Sequence, residues 1–231
     1  MRSLTRLLLS LLPLVAIVGV VGCSVLGPSD VDFIAAVDGG DRQKAERLHR
    51  RGVRFSKQGK PDKAEVAFHN ALVADESYGP ALNNIGRLYY EKGDLYSAAW
   101  SFERAMKSLP ERPEPANNLG MTFEKAGRFD EAIQMYEIAW GLEQSNPEFL
   151  GNLVRTKLRR GDGDYSIFEE LQELVFIETR PEWRVFAQQQ LTMLLRANET
   201  EPGELSTDGA DEAADAMEML PAPIYGAPLS E

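Results

Sequence analysis

The chain has 231 residues, a formal charge of −11 and 43% hydrophobic residues, which suits one ordinary domain or a short repeat array with tails and excludes wholesale disorder. The acidity is uneven: residues 45–198 carry 21 Lys/Arg and 23 Asp/Glu, whereas residues 199–231 carry nine acids and no base. A near-neutral body, read as having no basic stripe, argues against nucleic acid as a ligand.

Arg2 and Arg6 precede an apolar run from Leu7 to Val21 that contains Pro13. The run is shorter than the ~20 residues of a membrane span, so it reads as an export signal rather than a spanning helix. Val20-Val21-Gly22-Cys23 closes the run and resembles a bacterial lipobox. That resemblance implies a signal peptide over 1–22, cleavage after Gly22, and a lipid on Cys23 that anchors the protein in a membrane. Each buried methylene contributes ~0.8 kcal/mol, so several acyl chains hold firmly where one does not. Cys23 is the only cysteine, and no intrachain disulfide can form. Ser24 rather than Asp follows it, which resembles an outer-membrane address; the expected location is the bacterial cell envelope, at the outer membrane and facing the periplasm.

Residues 23–44 read as a lipidated cysteine and tether, with Gly27-Pro28 and Gly39-Gly40 as breakers and Phe33 to Val37 as one helical turn. Asp41 is placed to cap the first long helix. From residue 45 a 34-residue period sets in. Gly52, Gly86 and Gly120 share one column; Gly59, Gly93 and Gly127 another; Ala64, Ala98 and Ala132, then Phe68, Phe102 and Tyr136, then Ala71, Ala105 and Ala139 three more. Five columns in one register predict paired helices repeated along the chain. The repeats run 45–78, 79–112 and 113–146. In each, Gly59, Gly93 or Gly127 ends the first helix, and Pro80, Pro113, Pro115 and Pro147 mark repeat starts. Leu82, Ile85 and Tyr89, and Leu119 and Phe123, supply buried faces at helical spacing.

A fourth repeat, 147–180, is degenerate. Leu150, Leu153 and Gly161 are kept, but Val154 replaces the small residue, Ser166 and Glu173 the alanines and Glu170 the aromatic. A terminal repeat whose outer face meets water departs in this way. Residues 181–198 follow as a cap, with a single helix over Trp183 to Arg196. Residues 199–231 lack periodicity and read as a disordered acidic tail, with a brief helix over Ala213 to Leu220 formed on contact.

Leu82, Ile85, Gly86, Tyr89, Ala98, Phe102, Ala105 and Pro110 resemble the tetratricopeptide repeat pattern. The neighbouring repeats match through Leu48, Gly52, Phe55, Ala64, Phe68 and Ala71, and through Leu119, Gly120, Phe123, Ala132, Tyr136 and Ala139. Departures are Arg51 at a usually apolar position and Gln144 for a proline. The resemblance implies an all-α fold: a right-handed α-solenoid of three to four helical hairpins with a C-terminal capping helix, whose first helices line a concave face.

Two asparagine columns then stand out: Asn84, Asn118 and Asn152, preceded by Asn83 and Asn117. An amide donates and accepts, so a ladder of them can clamp a peptide backbone whatever its side chains. The pattern is similar to the asparagine ladders of some peptide-binding superhelices, including the repeats of O-linked N-acetylglucosamine transferase; alternatively the amides only satisfy neighbouring backbone. His49, Arg87, Tyr90, Met121 and Arg155 complete the candidate groove, Arg and Tyr being prominent in binding hot spots. Val53 and Glu114 stand where the carboxylate clamp of chaperone-binding members uses Asn and Lys, so binding of a C-terminal Glu-Glu-Val-Asp peptide is not implied.

Asp162, Asp164, Ser166, Glu170 and Glu173 echo a calcium loop, but Ile167 takes the glycine position and Asp164 is equally placed to cap a helix. No catalytic set can be assembled around His49 and His69. The expected protein is non-enzymatic, without metal, cofactor or small-molecule substrate. It is expected to be an adaptor for a protein or peptide segment. Lipid anchor and repeats together resemble pilot and assembly lipoproteins of pilus and secretion systems. Scaffolds for peptidoglycan enzymes, or a regulatory subunit of an envelope enzyme, are the alternatives.

Overall fold

The computed structural model describes residues 40–162 and 167–199. The expected signal peptide and tether, Cys23, Asp164 and Ser166, and the acidic segment beyond Glu199 lie outside the described residues. Among the described residues the fold is all-α, with nine helices and no strand. They are α1 Arg42–Lys57, α2 Pro61–Ala74, α3 Gly79–Lys92, α4 Leu95–Ser108, α5 Glu114–Lys125, α6 Phe129–Leu142, α7 Pro147–Arg160, α8 Phe168–Ile177 and α9 Pro181–Glu199. The odd-numbered helices α1 to α7 are the first, or A, helices of four hairpins; α2 to α8 are the B helices.

Local chemistry sets the ends of these helices. Asp41 caps α1, its side chain accepting from the Lys44 amide at 2.8 Å, as the sequence predicts. Proline sits in the first turn of α2, α3, α5 and α7, where its missing N–H costs nothing. Gly93 and Gly161 follow α3 and α7 with φ of 82° and 107°, a left-handed turn that a side chain would strain.

The glycine and aromatic columns meet where A crosses B. A Cβ on Gly52 would lie 2.4 Å from the Phe68 ring, on Gly86 2.7 Å from Phe102, and on Gly120 2.8 Å from Tyr136. The absent side chain is thus the space that the aromatic of the B helix fills. The fourth hairpin has Glu170 at the aromatic position, and there Glu170 receives a bond from Lys157 Nζ at 2.6 Å. Its glycine–aromatic contact moves to Gly151, where an added Cβ would lie 3.0 Å from the Trp183 ring of α9. The capping helix therefore supplies the ring that the degenerate repeat lacks.

Each B helix also packs on the next A helix, giving a one-dimensional stack. Successive A helices touch one another (α1 with α3, α3 with α5, α5 with α7), whereas no comparable contact joins successive B helices. The stack is therefore closed toward the A side, which forms its inner wall. From α3 onward one continuous core runs from Tyr90 through Phe102, Tyr136 and Leu150 to Leu194. All four core clusters lie between Ala45 and Leu194.

Candidate functional site

The inner wall is stitched by side-chain bonds with a constant step of 35 residues. Asn84 Nδ2 meets His49 Nε2 at 2.8 Å, Asn118 Nδ2 donates to Asn83 Oδ1 at 3.0 Å, and Asn152 Nδ2 donates to Asn117 Oδ1 at 2.9 Å. Lower on the same helices, Lys125 Nζ donates to the Tyr90 carbonyl at 3.2 Å and Arg159 Nη1 to Glu124 Oε1 at 2.8 Å, again 35 apart. One repeat is 34 residues, so each bond runs from one column to the next column of the following repeat.

From the sequence, Asn83, Asn84, Asn117, Asn118 and Asn152 are expected as rungs offered to a peptide, with satisfaction of neighbouring backbone as the alternative. The geometry differs from both. The two columns bond to each other and tie adjacent A helices together, and all five amides are buried. Asn117 adds a contact to Met121 Sδ at 3.7 Å. Asn83 Nδ2, buried on the same wall, has no hydrogen-bond partner among the described residues.

His49 is wholly buried, edge-on to Tyr78 at 5.4 Å and tilted against Phe68 at 5.6 Å. Burial, with the nearby Arg50 charge, lowers its pKa from 6.5 to about 4, so the imidazole is neutral at physiological pH.

Arg155 corrects another expectation. It is 1% exposed and pairs with Glu124, so it is a buried structural cation and not an open groove residue. Glu124 also accepts from Tyr136 Oη at 2.9 Å, and burial raises the Tyr136 pKa well above 10. Nothing in the sequence reading picked out Glu124; its one signal was the 35-residue step to Arg159, unreadable before the rungs were known. Tyr90 and Met121 are buried as well, Tyr90 beneath Lys125 Nζ at 4.4 Å from the ring centroid.

Arg87 is the expected groove residue that stays part-exposed, with 20% of its side chain accessible and Glu91 at 4.0 Å. It lines an open cleft between α1 and α3 with Val53, Ser56, Lys57, Phe68, Asn84, Leu88 and Glu91. Its floor is apolar, from Val53, Phe68 and Leu88, and its rim carries Lys57, Arg87 and Glu91. Among the described residues no group of three or more His, Cys, Asp or Glu is placed to hold a metal. No described helix is long and apolar enough to cross a membrane.

The expectation of a body without a basic stripe is also corrected. Helix α1 holds seven Lys/Arg against Glu46 alone, and all seven are exposed.

Residues 49–113 and 117–147 match tetratricopeptide repeat models. Residues 49–147 belong to the tetratricopeptide repeat family. The chain's sequence is similar to the photosystem I assembly protein Ycf3 of Prochlorococcus marinus, 25% identical over 111 residues. The match covers 47% of this chain and 63% of that relative, less than two thirds of its length. Among solved structures it resembles YrrB, described as a tetratricopeptide protein with an unusual peptide-binding site, at TM-score 0.59 and 18% identity over 80% of this chain and 92% of that one. It also resembles pilF of Pseudomonas aeruginosa at TM-score 0.58 and 16% identity, over 81% and 87%. Likeness at those identities speaks for the fold. A tetratricopeptide array is a scaffold that presents surfaces to other polypeptides and seldom carries out chemistry.

Proposed function

We propose that this protein is a non-enzymatic adaptor of the bacterial cell envelope, tethered through a lipid on Cys23, that docks a polypeptide segment on its inner A-helix wall. An accessible recess on the inner wall carries the docking half: the α1–α3 cleft, with its apolar floor of Val53, Phe68 and Leu88. Arg87 and Glu91 at its rim would fix the direction of the segment by charge. The peptide-binding site described for YrrB favours a peptide ligand, and the likeness of fold to pilF accords with a role in pilus or secretion assembly. An anchor would raise the effective concentration of any partner held in the same envelope.

Two experiments separate the halves. Metabolic labelling with a radioactive fatty acid should mark the wild type and spare Cys23→Ala; an unlabelled wild type removes the anchor. Envelope crosslinking and affinity capture should lose a defined partner with Arg87→Glu and keep it with Val73→Glu on the outer side of α2, where Val73 is exposed. An identical captured set from both variants removes the groove.

A further inference from the structure

Charge is segregated along this molecule in a way the total conceals. Helix α1 carries seven bases and one acid, net +6, whereas α6 and α8 each carry three acids and no base. Residues 199–231 add nine acids and no base. Lys44, Arg47, Arg51 and Arg54 recur at steps of three and four residues, so they form one stripe up the helix, flanked by Arg50 and Lys57. The opposite side of α1 is the buried one, holding Ala45, His49 and Gly52 against α2 and α3. As the first helix of the stack, α1 has no preceding hairpin among the described residues to cover it.

Carboxylates answer little of this charge. Arg42 pairs with Asp75 at 3.2 Å and Arg50 with Glu46 at 3.0 Å, both at exposed arginines, and Arg51 rests on Phe55 at 5.4 Å. Lys44, Arg47, Arg54 and Lys57 have no carboxylate within 4 Å among the described residues.

We infer that the α1 stripe docks on the anionic headgroups of a lipid bilayer and sets the orientation of the solenoid on it. Four to eight Lys/Arg on one helix face are what an anionic bilayer surface attracts, each base improving partition about fivefold within a screening length of the surface. The polarity of the chain fits one orientation: α1 toward the membrane, the acidic segment after Glu199 repelled from it. The inference deepens the proposed anchoring and rests on it for which surface is met. Only residues 24–41 separate Cys23 from α1, a reach of at most ~65 Å.

The test uses residues 40–231, which contain every core cluster and need no anchor, so it reads the stripe independently of fatty-acid labelling. Sedimentation with phosphatidylcholine vesicles, with and without phosphatidylglycerol, should give binding only to the anionic ones, and the binding should weaken as salt is raised. Arg47→Gln/Arg51→Gln/Arg54→Gln should lower the partition about a hundredfold. Lys63→Gln/Lys107→Gln/Arg128→Gln, which removes the same charge elsewhere, should leave most of it. If the first triple melts, Lys44→Gln/Arg47→Gln/Arg50→Gln replaces it. Equal binding to neutral vesicles, or equal loss in both triples, overturns the proposal. So does binding that arises only once residues 200–231 are deleted, which would assign the stripe to the chain's own acidic segment.

Discussion

Three residues show how narrowly this wall is built. Gly86 is fixed by the Phe102 ring, 2.7 Å from where a Cβ would stand. Gly86→Ala must push that ring out of a filled crossing and should cost about 1–3 kcal/mol by chemical denaturation. Glu124 holds Arg155, Arg159 and Tyr136 together in the interior. Removing its charge by Glu124→Gln takes the Glu124 counter-charge from the buried Arg155 guanidinium and should destabilise by about 3 kcal/mol. Glu131→Gln, which breaks an exposed pair with Arg128, should change the same measurement by less than about 1 kcal/mol. His49 predicts the pH response. Its folded pKa of about 4 lies below the unfolded 6.5, so below pH 6.5 the unfolded chain takes up a proton that the folded chain refuses. Stability contributed by this group is therefore whole above pH 6.5 and falls as pH drops toward 4, by about 3 kcal/mol in all. Denaturation at pH 7 and pH 5 should show a steeper loss in wild type than in His49→Gln; parallel losses would deny the buried neutral imidazole. The glycine–aromatic columns could be read from the chain alone, because small and large residues recur in one register. Glu124 could not, because a lone glutamate on a helix reads as solvated until its partners are located.

At the scale of helices, the rungs decide how hairpins lock to one another. Burying Asn83 and Asn118 as a bonded pair is nearly neutral, whereas leaving one amide alone is costly. Asn118→Ala should therefore destabilise by about 1–2 kcal/mol, and a double-mutant cycle with Asn83→Ala should return a coupling of about 1 kcal/mol. A coupling of zero would mean that the rung is incidental. Hairpin boundaries, the left-handed glycines and the Asp41 cap were legible, since periodicity and turn chemistry are local. The rungs were not. Columns 34 residues apart say which residues share a height on their own helices; the bond crosses at 35, because neighbouring A helices pack one residue out of step. The fourth hairpin shows the same limit: its missing aromatic was visible, but its replacement, Trp183 on Gly151, comes from α9 through tertiary packing alone.

For the whole molecule, stacking without long-range closure makes stability a sum over neighbouring hairpins, and it leaves one continuous inner wall as the surface available for recognition. Charge counted over residues 45–198 averaged away the segregation onto α1, because a sum over the body erases where its members stand. Along that wall the α1–α3 cleft, with Arg87 at its rim, is open, and docking there is the claim on which the functional reading depends. Site-specific photo-crosslinking in living cells tests it most directly, with the photoreactive residue placed at Arg87 or, as the outer control, at half-exposed Trp100 on α4. A discrete adduct at position 87 that is absent at position 100 is the result expected. Adducts at 100 alone, or the same adducts at both, would contradict a partner seated on the inner wall.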